Sequence, residues 1–573
     1  MPEKHLDAAK LIDLSMHADE LILSSNMEDL RKFFDLHNDT EYQFENLIDK
    51  AHYYYLLGNC ASTLFSYRNQ EWFSDDLSKS VIFYRKALHA LQQEKYLTDE
   101  QQYLLSCVET NLGNCLSSQG RSFCCIPVWD QAIERKNNPV AITAKARNEL
   151  FIAQSLYDQG HSAYHYFKAY NLINLGLENI DRLYPEQREA FAQDGELMNF
   201  KSWFEDNFTK KEFDYFESHE DEFETREQQD YLDWCSKNVL FLNDLNDVCK
   251  SQIVYQDIMT MPSVMQKLNS SLSMHEELMY HGNFDELKND FCYARYLVFS
   301  ARNIPNDETH FFNQTYPHVN DMSYTISNLK AHHYKSAFRT LYSLFDKIAY
   351  LLNRFFDLND IGKDHKISFD SIFRKLENRK EWEPHEKLKS SNNYFIHALF
   401  YILKDIRDVK DSTSVTKWLD PDAKAFSEMR NAMEHRSLKI ADDFGYSLLH
   451  FDAERLQSEL EQLESSALSY EEEIRKLNLK IKTEKNCAMR SEMEAEMLDL
   501  ESKLKDANEQ IYEKKKLSTH SLLIPESEFK SRLMTLMKLA RNSIMYLSMA
   551  IHLEEKGKPK NDALIMSKKV PLR

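Results

Sequence analysis

The sequence predicts an all-α protein. Glycine and proline are scarce, at 10 and 12 residues among 573, whereas glycine alone makes up about 7% of an average protein. Apolar residues recur at helical spacing over long stretches, and two segments near the C-terminal end alternate by three and four residues, as in coiled coils. So few turn-forming residues exclude β-sandwiches, β-barrels and doubly wound sheets. The two glycine-rich phosphate-binding motifs, G-x-G-x-x-G and G-x-x-x-x-G-K-[ST], are both absent from the sequence.

The bulk composition limits where the protein acts and what it binds. Its formal net charge of −21 argues against a surface that coats nucleic acid, so RNA contact should be confined to a local basic pocket. The nine cysteines are scattered without a C-x-x-C pair, and the N-terminus lacks a signal-peptide pattern. No apolar run reaches the roughly 18 residues that span a bilayer. We therefore expect a cytoplasmic protein without membrane contact, metal or cofactor.

Residues 1–200 are predicted to form a helical repeat domain. Two glycine triplets recur, each followed by a helix that ends in aromatic-x-x-Ala: Leu57-Gly58-Asn59 with Tyr84 and Ala87, and Leu112-Gly113-Asn114 with Trp129 and Ala132. A third copy fits around Ala153, Gly160 and Ala169, and the offsets are those of a diverged tetratricopeptide array. The alternative is a generic stack of helical hairpins. Both give an α-solenoid whose concave face suits a protein or ligand trigger.

The second half of the chain is predicted to hold a four-helix bundle. Residues 201–323 are a helical linker, in which the dense stretch 231–247 is interpreted as a buried junction. The bundle comprises 324–451 and 518–556, with apolar helical stripes over 329–355, 394–406, 421–440 and 526–555.

A coiled-coil insertion is predicted at residues 452–517. Apolar residues from Leu456 to Ile481 and from Met493 to Ile511 follow a heptad spacing, with a polar break near Lys485. Two arms of similar length favour an antiparallel hairpin, and the alternative is a long helix that pairs with a second subunit. Residues 557–573 are predicted to be a basic tail.

The strongest candidate for chemistry is a polar cluster in the third bundle helix, Arg430-Asn-Ala-Met-Glu-His435. Asn431 and His435 are four residues apart and share a helical face. Arg430 lies roughly 140° around the axis from His435, so only its long side chain could bring the charge to the imidazole. A cation, an amide and a titratable base without a metal ligand suit cleavage of a phosphodiester by its own 2′-hydroxyl.

The loose pattern Arg-x(4–6)-His is not specific by itself. It occurs as Arg31/His37, Arg379/His385 and Arg430/His435. Pro384 breaks the helical spacing of the second pair, and the first pair has no polar residue beside its arginine. The adjacent amide and the four-helix surroundings select the third pair.

The segment Arg430-Asn-Ala-Met-Glu-His435 is similar to the Arg-Asn-x-x-x-His signature of the HEPN superfamily of helical ribonucleases. Residues 342–349 and 540–550 resemble the first and last helices of a bacterial HEPN class fused to tetratricopeptide repeats. Residues 231–247 resemble the block that precedes the nuclease domain in that class.

The resemblance implies a metal-independent endoribonuclease that acts as a homodimer or higher homo-oligomer on an RNA substrate. The predicted site residues are, for catalysis, Arg430, Asn431 and His435 and, in support, Glu434, Arg436 and Asp346. We expect a regulated toxin or anti-phage defence effector whose repeats act as the sensor. The alternative is a non-catalytic scaffold or a nucleotide-binding dimerisation module.

Overall fold

The computed structural model describes residues 4–40, 42–67, 71–262, 274–319, 324–358, 367–373, 382–406, 421–449, 451–483, 487–517 and 521–558. Helices dominate this part of the chain, as predicted. The N-terminal half contains α1 (Ala8–Leu23), α2 (Met27–Asn38), α3 (Leu47–Tyr67), α4 (Asp75–Gln92), α5 (Asp99–Ser118), α6 (Ser122–Lys136), α7 (Pro139–Ser155), α8 (Gln159–Glu178), α9 (Pro185–Arg188), α10 (Glu196–Asn207), α11 (Asp214–Ser218) and α12 (Arg226–Lys237). The remainder contains α13 (Met274–Arg302), α14 (Leu329–Phe356), α15 (Phe369–Phe373), α16 (Glu386–Lys389), α17 (Tyr394–Ile406), α18 (Pro421–His435), α19 (Asp443–Leu449), α20 (Phe451–Thr483), α21 (Cys487–Leu517) and α22 (Glu526–Gly557).

Four short strands form two small parallel sheets. β1 (Lys4–Leu6) pairs with β2 (Tyr42–Phe44), and β3 (Ser437–Ala441) pairs with β4 (Ser521–Pro525). The predicted helix over 421–440 is therefore wrong beyond His435, where α18 ends. Leu438 and Ile440 of β3 are buried while Ser437 is exposed, an alternation with period two that fits a strand.

The chain divides into two compact units. The first comprises Met1–Phe299, Ser336–Ser427 and Met534–Arg573, and the second comprises Ser300–Lys335 and Glu428–Leu533. Helices α13, α14, α18 and α22 have residues in both. No helix in the described part of the chain is apolar over enough length to cross a membrane.

Tandem helix pairs build the N-terminal part of the first unit. Helix α3 packs on α4, α5 on α6, and α7 on α8. A capping box between Thr98 and Gln101 begins α5, and Asn138 caps α7 ahead of Pro139 at its first position. The three pairs follow one another directly along the chain, as the recurring triplets predict.

The glycine triplets have the same role in two successive pairs. A Cβ at Gly58 would lie 2.7 Å from the Tyr84 ring, whose hydroxyl donates to Asn59 Oδ1 (2.8 Å). In the next pair, Gly113 lies against the Trp129 indole, whose Nε1 donates to Asn114 Oδ1 (3.1 Å). Each glycine lets two helices approach closely, and each asparagine fixes the aromatic ring. That these hairpins are tetratricopeptide units stays a prediction.

Of the stretch 231–247 that is predicted to be a buried junction, residues 240–246 are buried, whereas Asp233 and Lys237 are exposed. A polar network runs through the buried part. The Arg541 guanidinium in α22 donates to Asp247 Oδ1 (3.2 Å) and Oδ2 (2.7 Å), and to the Phe241 and Asn243 carbonyls. Asp244 accepts from His165 of α8, which also contacts Glu149 of α7. Helix α22 and the third helix pair are thereby connected through one irregular segment.

The predicted bundle helices contribute to the core of the first unit. Helix α17 has the predicted bounds, and its Phe395 ring stacks on Tyr546 of α22. Phe338 of α14 contacts Phe426 of α18. Helix α17 also packs on the repeats, since Asp405 binds both Arg85 and Arg121.

Helices α20 and α21 form the predicted coiled coil. Their seam buries Leu460 and Ala467 against Ala507 and Ile511, and Lys514 Nζ bonds Glu459 Oε2 at 2.5 Å. Residues early in α20 thus meet residues late in α21, so the two arms are antiparallel. Of the two predicted arrangements, this chain adopts the hairpin. The predicted polar link at Lys485 and the C-terminal lysines Lys560, Lys568 and Lys569 lie outside the described residues.

Candidate functional site

The predicted catalytic cluster occupies the last turns of α18. Phe426, Met429 and Ala432 are buried and define the inward side of this helix. Their spacing of three residues leaves the intervening polar side chains facing outward. The apolar residues of α18 therefore fix the orientation of its polar motif.

The motif side chains are accessible at the end of the helix. Arg430, Glu434, His435 and Arg436 are exposed, and Asn431 is half-buried. His435 is the last helical residue, so its imidazole stands at a helix terminus. Asn431 lies one turn earlier on the same face.

Arg430 and Asn431 are brought together by a direct contact. The Arg430 Nη1 donates to Asn431 Oδ1 over 3.3 Å. Asn431 lies only about 40° around the helix axis from His435, at roughly 100° per residue. The contact therefore turns the guanidinium towards the helical face of His435. Without it, Arg430 would project from a different face of α18.

Strand β3 fixes the chain directly after the motif. The Arg436 amide donates to the Ala432 carbonyl (3.1 Å), which closes the last turn of α18. The Leu438 carbonyl then accepts from Lys335 Nζ (2.7 Å), and Leu438 pairs with Leu522 of β4. Sequence analysis missed this support because β4 lies more than 80 residues along the chain from β3.

The sixth predicted residue is Asp346 of α14. It belongs to the part of α14 within the first unit, whereas the other five residues belong to the second. Its Oδ1 accepts from the Phe369 amide (3.3 Å). This contact connects α14 to the start of α15.

The competing Arg-x(4–6)-His pair in the N-terminal helices has a structural role. Arg31 forms a two-pronged salt bridge to Asp76, with 2.8 Å between Nη1 and Oδ1. His37 Nδ1 contacts the Tyr42 hydroxyl (2.9 Å). Arg379 of the remaining pair lies outside the described residues.

The first unit contains a polar groove of about 840 Å³, lined by α5, α6, α7 and neighbouring residues. Ser122 lines it and is 2% exposed, yet its Oγ has no hydrogen-bond partner among the described residues. Arg147 and Glu196, also in the lining, form a salt bridge. Among all residues that the structure describes, no group of three or more His, Cys, Asp or Glu residues is placed to hold a metal ion.

The helical fold and the polar motif at the end of α18 agree with the comparison to protein families. Residues 271–476 match a model of the HEPN superfamily, so the chain carries a HEPN domain, as predicted. The matching model is described as LA2681-like HEPN. No curated protein and no solved structure matches the chain. The match contains the whole segment from Arg430 to His435 and points to a ribonuclease or nucleotide-related role.

Proposed function

We propose that the protein is a metal-independent endoribonuclease whose site is Arg430, Asn431 and His435. The observation that carries the proposal is an exposed Arg-Asn-x-x-x-His motif at a helix end, inside a HEPN domain. The proposed catalytic core is the bundle of α14, α17, α18 and α22, at 324–451 and 518–556, with the hairpin at 452–517 as an insertion.

The chemistry needs only the RNA and these side chains. The 2′-oxygen attacks the adjacent phosphorus, the bond from phosphorus to the 5′-oxygen breaks, and a 2′,3′-cyclic phosphate forms. A neutral His435 accepts the 2′-hydroxyl proton, or a protonated His435 supplies one to the departing 5′-oxygen. Such proton transfer contributes about 10²–10⁴ in rate. Arg430 neutralises charge that develops on the phosphate oxygens.

The two proton transfers favour a site shared between two copies of the chain. One histidine cannot be base and acid in the same step, whereas two copies would supply both forms. Exposure of Arg430, His435 and Arg436 on a single copy agrees with this arrangement. The proposed active form is therefore a homodimer or larger homo-oligomer.

The test compares RNA cleavage by the full chain, Arg430→Ala and His435→Ala, all in EDTA. We expect wild type to release products with a cyclic phosphate and a 5′-hydroxyl, and each variant to lose about 10²-fold or more of the rate. RNA with 2′-O-methyl groups should resist cleavage. The matched controls are His89→Ala, which removes an exposed histidine from the last turn of α4, and Arg226→Ala at the exposed start of α12.

Equal activity of wild type and both site variants would sink the proposal. Cleavage that stops in EDTA would leave a nuclease but remove the metal-independent mechanism. Full activity in a strictly monomeric protein would contradict the shared site.

We further propose that the groove lined by α5, α6 and α7 takes a protein or ligand trigger of a toxin or defence response. The feature that favours an occupant is the groove itself, a concavity of about 840 Å³ in which the polar side chains of Asn114, Thr143 and Arg147 stand beside the exposed Tyr394 ring. Ala144→Arg, a half-buried lining position, should block response to a trigger without changing untriggered cleavage.

A scaffold function is the second candidate, and the hairpin favours it. Its two arms expose large apolar side chains to solvent: Leu468, Leu479, Met489, Leu498 and Tyr512. Exposed apolar residues in such number mark a surface for assembly. If this is the whole function, deletion of 456–511 abolishes assembly while Arg430→Ala and His435→Ala change nothing.

A further inference from the structure

Helix α1 presents an apolar row to solvent. Ile12, Met16 and Leu23 are 60%, 66% and 85% exposed. At roughly 100° per residue, all three lie within about 40° of one another around the helix axis. Single exposed apolar residues are common on protein surfaces, whereas large apolar side chains aligned on one face mark a site of interaction. We name these three residues the α1 stripe.

The opposite side of α1 is already used by the fold. Leu11, Ala18 and Leu21 are buried in a core that α1 shares with α2 and α3. Their positions lie roughly 140–160° around the helix axis from Met16. The α1 stripe therefore faces away from this core and takes no part in it.

Helix α1 is anchored at both ends. Strand β1 directly precedes it and pairs with β2. Asp7 caps the first turn, because its Oδ1 accepts from the Lys10 amide (2.9 Å). At the other end, the Ser24 amide donates to the Glu20 carbonyl (2.9 Å). The stripe is thus a preformed surface, and a partner can bind it without any folding of α1.

Carboxylates border the α1 stripe on both sides. Asp13 and Glu20 lie about 40–60° around the axis from Met16 in one direction, and Asp19 lies about 60° away in the other. All three acidic residues are exposed. None of them forms a salt bridge with a lysine, arginine or histidine within the part of the chain that the structure describes. These charges are therefore available to a partner.

The cations of α1 lie farther from the stripe. Lys10 is about 120° around the axis from Met16, and its Nζ pairs with Asp7 (2.9 Å). His17 is about 100° away, and its ring contacts Phe33 of α2 edge-on, with centroids 5.6 Å apart. The immediate border of the stripe is therefore negative, and it complements a partner that carries cations.

This border disfavours two other occupants. Pairing of the stripe with that of a second copy would bring identical carboxylates together, and like charges repel. Helices that lie on membranes carry Lys and Arg beside their apolar stripe, whereas anionic lipid would repel the acidic border of α1. The charges favour instead a protein helix whose apolar side chains are flanked by basic residues.

We propose that the α1 stripe binds an amphipathic helix of another protein, with apolar residues at i, i+3 or i+4 and i+7 and with Lys or Arg beside them. The stripe spans about 17 Å at 1.5 Å per residue, which accommodates three such apolar anchors. Apolar contact supplies most of the affinity, and the acidic border sets the orientation and excludes acidic partners. This inference is independent of the proposed nuclease, because the binding involves no chemistry.

The test is isothermal titration calorimetry of the full chain with a synthetic peptide, two repeats of Leu-Lys-Lys-Leu-Leu-Lys-Leu with blocked ends. We expect saturable binding of one peptide per chain. Ile12→Ser and Met16→Ser should each weaken Kd about tenfold, the effect of truncating an interface residue that carries binding energy. The triple variant Asp13→Asn, Asp19→Asn and Glu20→Gln should also bind more weakly, and its Kd should depend less on salt.

Two controls separate the stripe from the general negative charge of the chain. Tyr96→Ser removes an apolar side chain that is 91% exposed elsewhere in the first unit, and it should bind as wild type does. Glu220→Gln, Glu222→Gln and Glu224→Gln together neutralise three exposed carboxylates ahead of α12, and this variant should change Kd much less than the α1 triple variant. A peptide with glutamate in place of each lysine should not bind.

Equal Kd values for wild type, Ile12→Ser and Met16→Ser, with melting temperatures preserved, would overturn the inference, because the peptide would then bind elsewhere on the acidic chain. A lower native mass of these variants in the absence of peptide would also overturn it, because the stripe would then be an interface between copies. So would co-sedimentation of wild type, but not of Met16→Ser, with vesicles of phosphatidylcholine and phosphatidylserine, because the stripe would then bind membrane.

Discussion

The Arg430 guanidinium donates to the side-chain oxygen of its neighbour Asn431 across 3.3 Å. This bond directs the cation of one helical face towards the face that carries His435. Asn431 therefore acts as a positioning residue in the proposed site. Its contribution should be measurable separately from the charge of Arg430.

We expect Asn431→Ala to lower kcat/KM for RNA cleavage about 10- to 100-fold, since a hydrogen bond to a charged group contributes about 1.5–3 kcal/mol. Arg430→Lys keeps the charge but loses the planar fork, and should be impaired as well. Cleavage rates in EDTA, with His89→Ala as the control, test both. Wild-type rates in Asn431→Ala would remove the positioning role.

His165 makes the stability of the first unit depend on pH. Its Nδ1 lies 2.6 Å from Glu149 Oε2, and its Nε2 lies 3.1 Å from Asp244 Oδ2. All three side chains are buried. Burial alone lowers the pKa of His165, but hydrogen bonds to Asp244 and Glu149 outweigh it and raise the pKa to about 10. The pKa of Asp244 is lowered, because hydrogen bonds from His161 and His165 outweigh the effect of its burial.

Because the pKa of His165 is raised in the folded protein, stability should fall as the pH rises. A folded pKa above the unfolded value of about 6.5 means that protonated His165 stabilises the fold fully below pH 6.5 or so, and less as the pH rises towards 10. We expect His165→Gln to lower the free energy of unfolding by about 3–5 kcal/mol at pH 6, because buried Glu149 loses its charged partner and buried Asp244 keeps only His161. The difference in free energy of unfolding between wild type and His165→Gln should be smaller at pH 9.5 than at pH 6. Denaturant unfolding between pH 6 and pH 9.5 measures this difference, with His89→Gln at an exposed position as the control. A difference that does not change with pH would contradict the prediction.

Gly113 is a point of close approach that should not tolerate a side chain. A Cβ there would meet the indole of Trp129, which is 1% exposed and cannot move aside. We expect Gly113→Ala to destabilise the fold by about 1–3 kcal/mol, as overpacking does. The matched control is Gly282→Ala in α13, where nothing lies within 4 Å and alanine should stabilise by about 0.5–1 kcal/mol. Thermal unfolding measures both variants. Equal melting temperatures for Gly113→Ala and Gly282→Ala would show that the close packing at Trp129 does not contribute to stability.

Patterns local in the sequence predicted the fold well. The bounds of α17 follow from its apolar spacing, and the recurring glycine triplets predicted successive helix pairs. The contacts of Gly58 with Tyr84 and of Gly113 with Trp129 explain why those triplets recur. The HEPN domain was predicted from the resemblance of the motif and its flanking helices to that superfamily.

Features that depend on distant partners were not predicted. Strand β3 continues the apolar pattern of α18, and only pairing with β4, far along the chain, makes it a strand. The bond between Arg541 and Asp247 joins residues 294 positions apart, and charge spacing carries no signal of it. The left-handed backbone conformation of Tyr324 was not predicted, because it is imposed by contacts with Asp442 and Gly445.

The hairpin offers a prediction that separates folding from assembly. Leu460 and Ile511 are buried in one seam within a single chain. Replacing both by glutamate places two charges there, and each lost apolar contact costs about 2–5 kcal/mol. We expect α20 and α21 to lose helicity in circular dichroism and to become sensitive to protease, while the native mass of the oligomer stays the same.

Lys476→Glu is the control for this pair, because Lys476 is on the solvent side of α20, with its side chain 66% exposed. It should change neither helicity nor mass. If the double variant instead dissociates the oligomer while α20 and α21 remain helical, the seam pairs arms of different chains in solution. The apolar residues on the outer sides of the arms would then have no part in assembly, and the scaffold candidate would rest on the seam alone.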